Sequence, residues 1–158
     1  MKNKISNIII IILSVVIVSY IGLLAFGYRV YAVKTASMHP DIKQGSIAIA
    51  KKLNADEVFD ELNIGSDIVF KTSSGNTLTH RVIMLDEEND RLQTQGIREG
   101  STKDAEISSS NVLGKVSFSI PLIGYLVMLI QSTYFIILAI CGIAIYVIVS
   151  LLIKQLKK

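Results

Sequence analysis

The sequence contains a single cysteine, Cys141, and only two histidines, His39 and His80. One cysteine cannot form a disulfide within the chain, and Cys141 is most simply a small packing residue in an apolar run. Two histidines without a cysteine near them match no metal-ligand spacing, and no glycine-rich phosphate loop is present. The sequence therefore predicts neither a metal site nor a cofactor.

Acidic residues are absent from both ends of the chain, since all 13 lie between Asp41 and Glu106. No charge of either sign occurs in residues 5–28 or in residues 116–153. At about 1.5 Å per residue, a helix over the first of these runs is longer than a hydrocarbon core of roughly 30 Å. The 51% hydrophobic content is thus concentrated at two apolar ends, which excludes an ordinary soluble domain.

The first apolar run predicts a transmembrane helix over residues 5–27. The alternative is a cleavable signal peptide, because Lys2 and Lys4 form a basic start and residues 25–27 resemble a small-x-small cleavage site. A signal peptide's apolar region is about 7 to 15 residues long, much shorter than this run. We therefore expect an uncleaved anchor.

The second run has 38 uncharged residues, from 116 to 153, which is more than one simple span requires. Pro121 and the polar residues 131–133 divide it. We expect an interfacial apolar segment over residues 118–132 and a second transmembrane helix over residues 133–153.

The placement of charge predicts the orientation of the chain. Residues 28–115 carry 11 basic and 13 acidic residues, net −2, whereas five basic residues flank the spans on their terminal sides: Lys2, Lys4, Lys154, Lys157 and Lys158. By the positive-inside rule, tails 1–4 and 154–158 are cytoplasmic and residues 28–117 are extracytoplasmic in the cell membrane. The excess of basic residues in the whole chain therefore indicates topology. Residues 28–117 contain no basic patch interleaved with aromatic residues, so the sequence predicts no nucleic-acid partner.

Residues 28–117 show short β-branched runs separated by turn residues. The pattern predicts a mainly β fold, a small antiparallel, barrel-like domain between the two helices. Residues 53–62 predict a helical turn, and residues 98–110 a polar loop. Strands are expected at 28–34, 46–53, 67–72, 77–86, 90–95 and 111–119, with hairpin turns at 73–76 and 86–90.

The remaining chemistry is that of a serine with a base. Ser37 needs a group that takes its proton, and the candidates are His39 and His80. His39 is two residues from Ser37, but side chains on one face of a strand run parallel and do not converge. His80 shares a strand face with apolar residues, which keeps an imidazole neutral. A core histidine bonded to a backbone carbonyl has the same pattern, so the residues alone leave both interpretations open.

The motifs "TASMHP", "GSIAIAKK", "GSDIVFK", "THRVI" and "NVLGKV" resemble the sequence boxes of type I signal peptidases. With a histidine in "THRVI", the chain resembles the branch of the family found in the endoplasmic reticulum, archaea and some Gram-positive bacteria, in which histidine replaces the lysine base. The resemblance implies that Ser37 is the nucleophile and His80 the general base, with Met38 and Pro40 at packing and turn positions. It also implies an oxyanion site formed by the Thr35 hydroxyl and the Ser37 N-H, although Thr35 is equally explained as a strand residue.

The chain departs from the family pattern in the fourth box, which reads roughly T-K-G-D-x-N before a further acid. This chain has "TQGIREGSTKD", so Ile97 replaces an aspartate, and counting places the later acid at Lys103. Asp104, one residue on, is then the candidate third catalytic acid. Otherwise His80 is oriented by backbone or by Asp67, which is also interpreted as a residue that supports a strand turn.

The resemblance implies a membrane-bound serine endopeptidase that removes N-terminal signal peptides from exported proteins. Its partners would be signal-peptide-bearing preproteins, cleaved after small residues, and the lipid bilayer. Ile97 motivates one alternative, a specialised or inactive family member that assists surface-polymer assembly. Another is a two-span membrane protein whose β domain binds a partner, with Ser37 and His80 in structural roles.

Overall fold

A computed structural model describes residues 2–156 and shows a β domain between two long apolar helices. Helix α1 is Lys2–Ala25 and helix α4 is Thr133–Leu156. Both are long and apolar enough to cross a membrane, with a mean hydropathy of 3.0 over their most apolar stretches. Of the predicted cytoplasmic tails, residues 1, 157 and 158 lie outside the described residues.

The β domain is a single six-stranded antiparallel sheet, as the sequence predicts. Each strand agrees with its predicted bounds to within two residues, because β-branched runs ending at turn residues define strands well. The strands are β1 Tyr28–Ala32, β2 Ile47–Lys52, β3 Asp67–Lys71, β4 Thr77–Asp86, β5 Arg91–Gln95 and β6 Val112–Ile120.

The order of strands in the sheet is β1-β2-β6-β3-β4-β5. At one end, β5 is covered on its outer side by the following segment through bridges from Leu92 to Ile107 and from Gln95 to Lys103. At the other end, within residues 2–156, β1 is paired on one side only, with β2. The sheet therefore has one free strand edge, at β1.

Two clusters of buried side chains form the core. The larger one lies between β3, β4, β5 and the short helical segment that follows β2, and it contains Leu53, Val58, Leu62, Ile68, Phe70, Val82, Leu92 and Val112. The predicted helical turn in residues 53–62 is this segment, a 3-10 turn Ala55–Glu57 followed by α2 Val58–Glu61. The smaller cluster contains Val33, Met38, Ile42 and Ala48, and it holds the connection between β1 and β2 against the sheet.

A short helix, α3 Ile123–Gln131, follows β6 and precedes α4. Within the segment 118–132, which the sequence predicts to be interfacial, residues 118–120 continue β6, whose last pair joins Ile120 to Ile47 of β2. Helix α3 itself packs closely on the β domain at the turn that leads into β2. A Cβ on Gly124 would lie 2.1 Å from the Ser46 carbonyl oxygen, so only glycine allows this approach.

Candidate active site

Ser37 lies on the serine loop, defined here as residues 34–44, which connects β1 to β2. Two hydrogen bonds close the loop at its base, from the Val33 N-H to the Ser46 carbonyl at 2.9 Å and from the Gly45 N-H to the Val33 carbonyl at 2.9 Å. Gly45 has φ +78°, a left-handed conformation that favours glycine. Met38, fully buried, anchors the loop from within, and its neighbour Ser37 remains partly exposed.

His80 is the histidine that meets Ser37. It lies in the middle of β4, opposite Ile68 of β3, and is buried with 7% of its surface exposed. Its Nε2 atom is 2.8 Å from Ser37 Oγ, although the two residues are 43 positions apart. His39 is exposed on the serine loop. The alternative of a core histidine satisfied by a backbone carbonyl does not describe His80, whose two ring nitrogens both face side chains.

Asp104 faces the other side of the His80 ring, with Oδ2 2.5 Å from Nδ1. The same oxygen accepts a hydrogen bond from the hydroxyl of Thr94 on β5 at 2.7 Å. The Asp104 backbone is fixed as well, because its N-H donates to the Thr94 carbonyl at 2.8 Å. Lys103, at the position where counting placed the acid, is exposed. The structure therefore brings Asp104, and not Lys103, to the histidine.

The direction of these hydrogen bonds follows from what each group can donate. An ionised Asp104 carboxylate only accepts, so Thr94 and His80 Nδ1 both donate to it. The neutral imidazole then accepts at Nε2, and Ser37 Oγ donates to it. Thr35 Oγ1 lies 3.0 Å from Ser37 Oγ and donates to that oxygen. The result is a chain of hydrogen bonds that aligns a serine proton with a basic nitrogen.

Ile97, the residue that replaces an expected aspartate, has a packing role. It lies against the small cluster that contains Met38. Its neighbour Gly96 is buried so close to Ser37 that a Cβ there would lie 2.8 Å from the Ser37 carbonyl oxygen. The same carbonyl accepts a hydrogen bond from the Arg98 N-H at 2.9 Å. Residues 96–98 therefore hold the backbone of Ser37 in place.

Among the described residues, Asp67 makes no hydrogen bond to His80; its two carboxylate oxygens accept hydrogen bonds from Arg81 of β4, at 2.8 and 3.0 Å. Arg81 also donates to Asp41 on the serine loop at 2.8 Å. These bonds, first to Asp67 and then to Asp41, raise the pKa of Arg81 above its usual value. The ion pairs tie the serine loop to the strand that carries His80.

The remaining predicted residue, Pro40, is exposed in the tight turn of the serine loop, where the Ile42 N-H donates to the Met38 carbonyl at 2.7 Å. Sequence reasoning gave no role to Thr94, Arg81, Asp41 or Gly96. Thr94 and Gly96 stand in the "TQG" motif and Arg81 in "THRVI", so the motifs contained them. Only the contacts show what they do.

A groove of about 530 Å³ lies along the free edge of β1. One wall is formed by residues 30–35, the opposite wall by residues 75–79 of the β3-β4 hairpin, and Gln131 of α3 also lines it. The groove reaches Thr35, two residues before Ser37. Among residues 2–156, no three histidine, cysteine, aspartate or glutamate side chains are grouped so that they could hold a metal ion.

Comparison with known proteins gives two similarities. Residues 4–94 match the family model described as "Signal peptidase, peptidase S26". A curated protein of Bacillus subtilis (strain 168), Signal peptidase I W, is 28% identical over 99 residues, which are 61% of this chain and 50% of that protein. The chain thus spans about half the length of the curated relative. Ser37 and His80 lie inside the range matched by the family model, whereas Asp104 lies beyond it.

Proposed function

The chain belongs to the signal peptidase S26 family, which matches more than half of its length, and on this premise we propose that it is a membrane-bound serine endopeptidase that cleaves N-terminal signal peptides. Ser37 is the nucleophile, His80 the general base and Asp104 the acid that orients the imidazole. The contact that carries the proposal is the 2.8 Å distance from Ser37 Oγ to His80 Nε2.

In the proposed reaction, Ser37 Oγ attacks the carbonyl carbon of the scissile bond while its proton moves to His80 Nε2. Asp104 stabilises the imidazolium that forms. The imidazolium then protonates the leaving amine, the peptide C-N bond breaks and an acyl-enzyme remains. Water then gives a proton to the same nitrogen and attacks the ester carbonyl. The bond from Ser37 Oγ to the acyl carbon breaks, the imidazolium returns the proton to Ser37 Oγ, and the signal peptide leaves with a new carboxyl group.

The negative charge on the tetrahedral carbonyl oxygen requires donors. Thr35 Oγ1 already lies 3.0 Å from Ser37 Oγ and can turn its proton to the oxyanion. In the described part of the chain, the Ser37 N-H donates no hydrogen bond and is available as a second donor. Two donors in a partly buried site stabilise the transition state more than the neutral substrate.

The groove beside β1 suits an extended substrate that adds to the free strand edge. Backbone N-H and C=O groups of an edge strand pair with an incoming strand, and pockets beside it select small side chains. The apolar part of a signal peptide is in the bilayer and its cleavage site follows it. Since β1 also leads from α1 toward Ser37, the substrate runs parallel to β1.

The proposed setting follows from the two long apolar helices. With α1 and α4 crossing the bilayer and the basic tails in the cytoplasm, the β domain lies on the outer surface. Leu126, Leu129 and Ile130 of α3 and Leu122, the residue before the helix, are exposed. These exposed apolar side chains suit a position at the membrane interface. Enzyme and substrate are then confined to one plane.

Cleavage of a precursor protein in membrane vesicles tests the proposal. Ser37→Ala and His80→Ala each abolish cleavage at unchanged protein level, because either change removes the proton transfer that activates the hydroxyl. His39→Ala, at an exposed histidine two residues from Ser37, is the matched control and cleaves like the unmodified chain. Cleavage that persists in Ser37→Ala would contradict the mechanism.

The two alternatives receive no support from the site. An inactive member was suggested by Ile97, but that residue packs against the Met38 cluster and Asp104 supplies a carboxylate to His80. A purely structural pair would not need a serine hydroxyl, an imidazole and a carboxylate in line, with the hydroxyl two residues from a groove-lining threonine.

A further inference from the structure

Gln131 is the last residue of α3 and lies outside the part of the chain that matches the signal peptidase family model. It is nonetheless one of the residues that line the groove beside β1. Its side chain is exposed, and within residues 2–156 its amide makes no hydrogen bond with the protein. The amide ends the otherwise apolar sequence "IGYLVMLIQ", and because it is exposed it is open to bond a chain that lies in the groove.

Helix α3 is fixed against the base of the serine loop, so Gln131 has a defined place. A Cβ on Gly45 would lie 1.9 Å from Cε2 of Tyr125, and Gly124 makes an equally close approach to Ser46. The two glycines let α3 sit directly on the turn that closes the serine loop. The same turn positions Ser37, so the nucleophile and α3 share one support.

The position of Gln131 along the groove follows from the chain path. At about 1.5 Å per residue, it is roughly 9 Å from Tyr125 along the helix axis. One residue separates it from Thr133, the first residue of the long apolar helix α4. In the proposed setting α4 enters the bilayer directly after this point, which puts Gln131 toward the membrane end of the groove, whereas Thr35 lines the groove two residues before Ser37.

We infer that the Gln131 amide binds the substrate backbone on the membrane side of the cleavage site and so acts as a binding residue for the segment that leaves the bilayer. The inference rests on the proposed function. An extended chain in the groove uses one row of its backbone groups on the edge of β1. The opposite row faces the hairpin and α3, and a carboxamide supplies both a donor and an acceptor for it.

Steady-state cleavage of a peptide substrate compares Gln131→Leu with Gln155→Leu, a change at an exposed glutamine in α4 far from the groove. One hydrogen bond to a peptide group corresponds to about a 3- to 10-fold effect. We expect KM to rise by that factor in Gln131→Leu with kcat unchanged, because the contact is equal in substrate and transition state. Gln155→Leu leaves both constants unchanged.

Substrates shortened from the amino-terminal side locate the contact. When the substrate residue that meets Gln131 is removed, we expect the KM of the unmodified chain to rise. On that shortened substrate the unmodified chain and Gln131→Leu then have the same KM. An unchanged KM in Gln131→Leu with the full-length substrate overturns the inference, while Ser37-dependent cleavage leaves the proposed function standing.

Photo-cross-linking tests the contact without turnover. A benzophenone amino acid at position 131 of the Ser37→Ala chain is expected to cross-link to precursor residues that precede the cleavage site. The same probe at Leu122, exposed before the opposite end of α3, gives no such product. Absence of a product from position 131 overturns the inference. Failure of the unmodified chain to cleave any precursor would count separately, against the proposed function.

Discussion

The hydroxyl of Thr94 donates to the same carboxylate oxygen of Asp104 that faces His80, at 2.7 Å. Thr94 is fully buried, and its carbonyl also accepts the Asp104 N-H. Asp104 is thus held by the side chain and by the backbone of one residue. Its carboxylate cannot rotate away from the imidazole without leaving a buried hydroxyl unpaired, which costs about 1 to 3 kcal/mol.

Asp104→Ala removes the carboxylate that orients His80. We expect the turnover number for precursor cleavage to fall by about 10⁴-fold, the scale of losing the carboxylate in a serine-histidine-aspartate site. The turnover number of Asp104→Asn falls by a similar factor, because the amide can donate to Nδ1 and so force the imidazole into the wrong tautomer. Lys103→Ala, at the exposed neighbouring position, is the control and keeps normal activity. Normal cleavage by Asp104→Ala would exclude Asp104 from the reaction.

Thr94→Val removes one hydrogen bond to a charged acceptor and leaves the volume of the side chain nearly unchanged. A bond of this kind is worth about 1.5 to 3 kcal/mol, so we expect a loss of about 10- to 100-fold in kcat. Thr94→Ser, which keeps the hydroxyl, restores most of the rate. KM stays constant in both variants, since Thr94 acts through Asp104. Equal rates for Val and Ser at this position would show that the hydroxyl does not position Asp104.

Gly96→Ala places a methyl group against the backbone of the nucleophile, 2.8 Å from the Ser37 carbonyl oxygen. Backbone cannot yield as a flexible side chain does, so either the serine loop or residues 96–98 must move. We expect at least a ten-fold loss of cleavage and a destabilisation of about 1 to 3 kcal/mol, measured by thermal unfolding of the detergent-solubilised protein. Gly142→Ala, at a glycine where an added Cβ would meet nothing within 4 Å, provides the comparison and changes neither quantity. Full activity of Gly96→Ala would mean that this close approach is not needed.

The sheet was predictable because its signals are local. In "TLTHRVIMLD" the alternating pattern alone defines β4 and places His80 beside buried Val82. The end of β6 was less clear, since the apolar letters of residues 118–120 suit a membrane interface as well as a strand. Pairing with β2 decides it, and pairing is a long-range contact that sequence pattern does not show.

The third member of the site was harder to predict for a different reason. Counting along a loop assumes a fixed path, but a loop can follow different paths between the same two strands in related proteins. The position of Asp104 is set by its backbone bond to Thr94. Likewise, α3 packs against Gly45 only because Gly45 and Gly124 have no side chain. A glycine in the sequence does not indicate which residue lies against it.

The free edge of β1 has a further consequence. An exposed strand edge pairs readily with other chains, and most proteins cover it or shorten it to prevent aggregation. A protease that binds its substrate as an added strand has to leave this edge open. In the proposed setting, β1 is five residues long and begins three residues after α1, so the bilayer limits the directions from which a second copy can approach. Membrane attachment then has two effects: it brings enzyme and substrate together, and it hinders the β1 edges of two copies from pairing with each other.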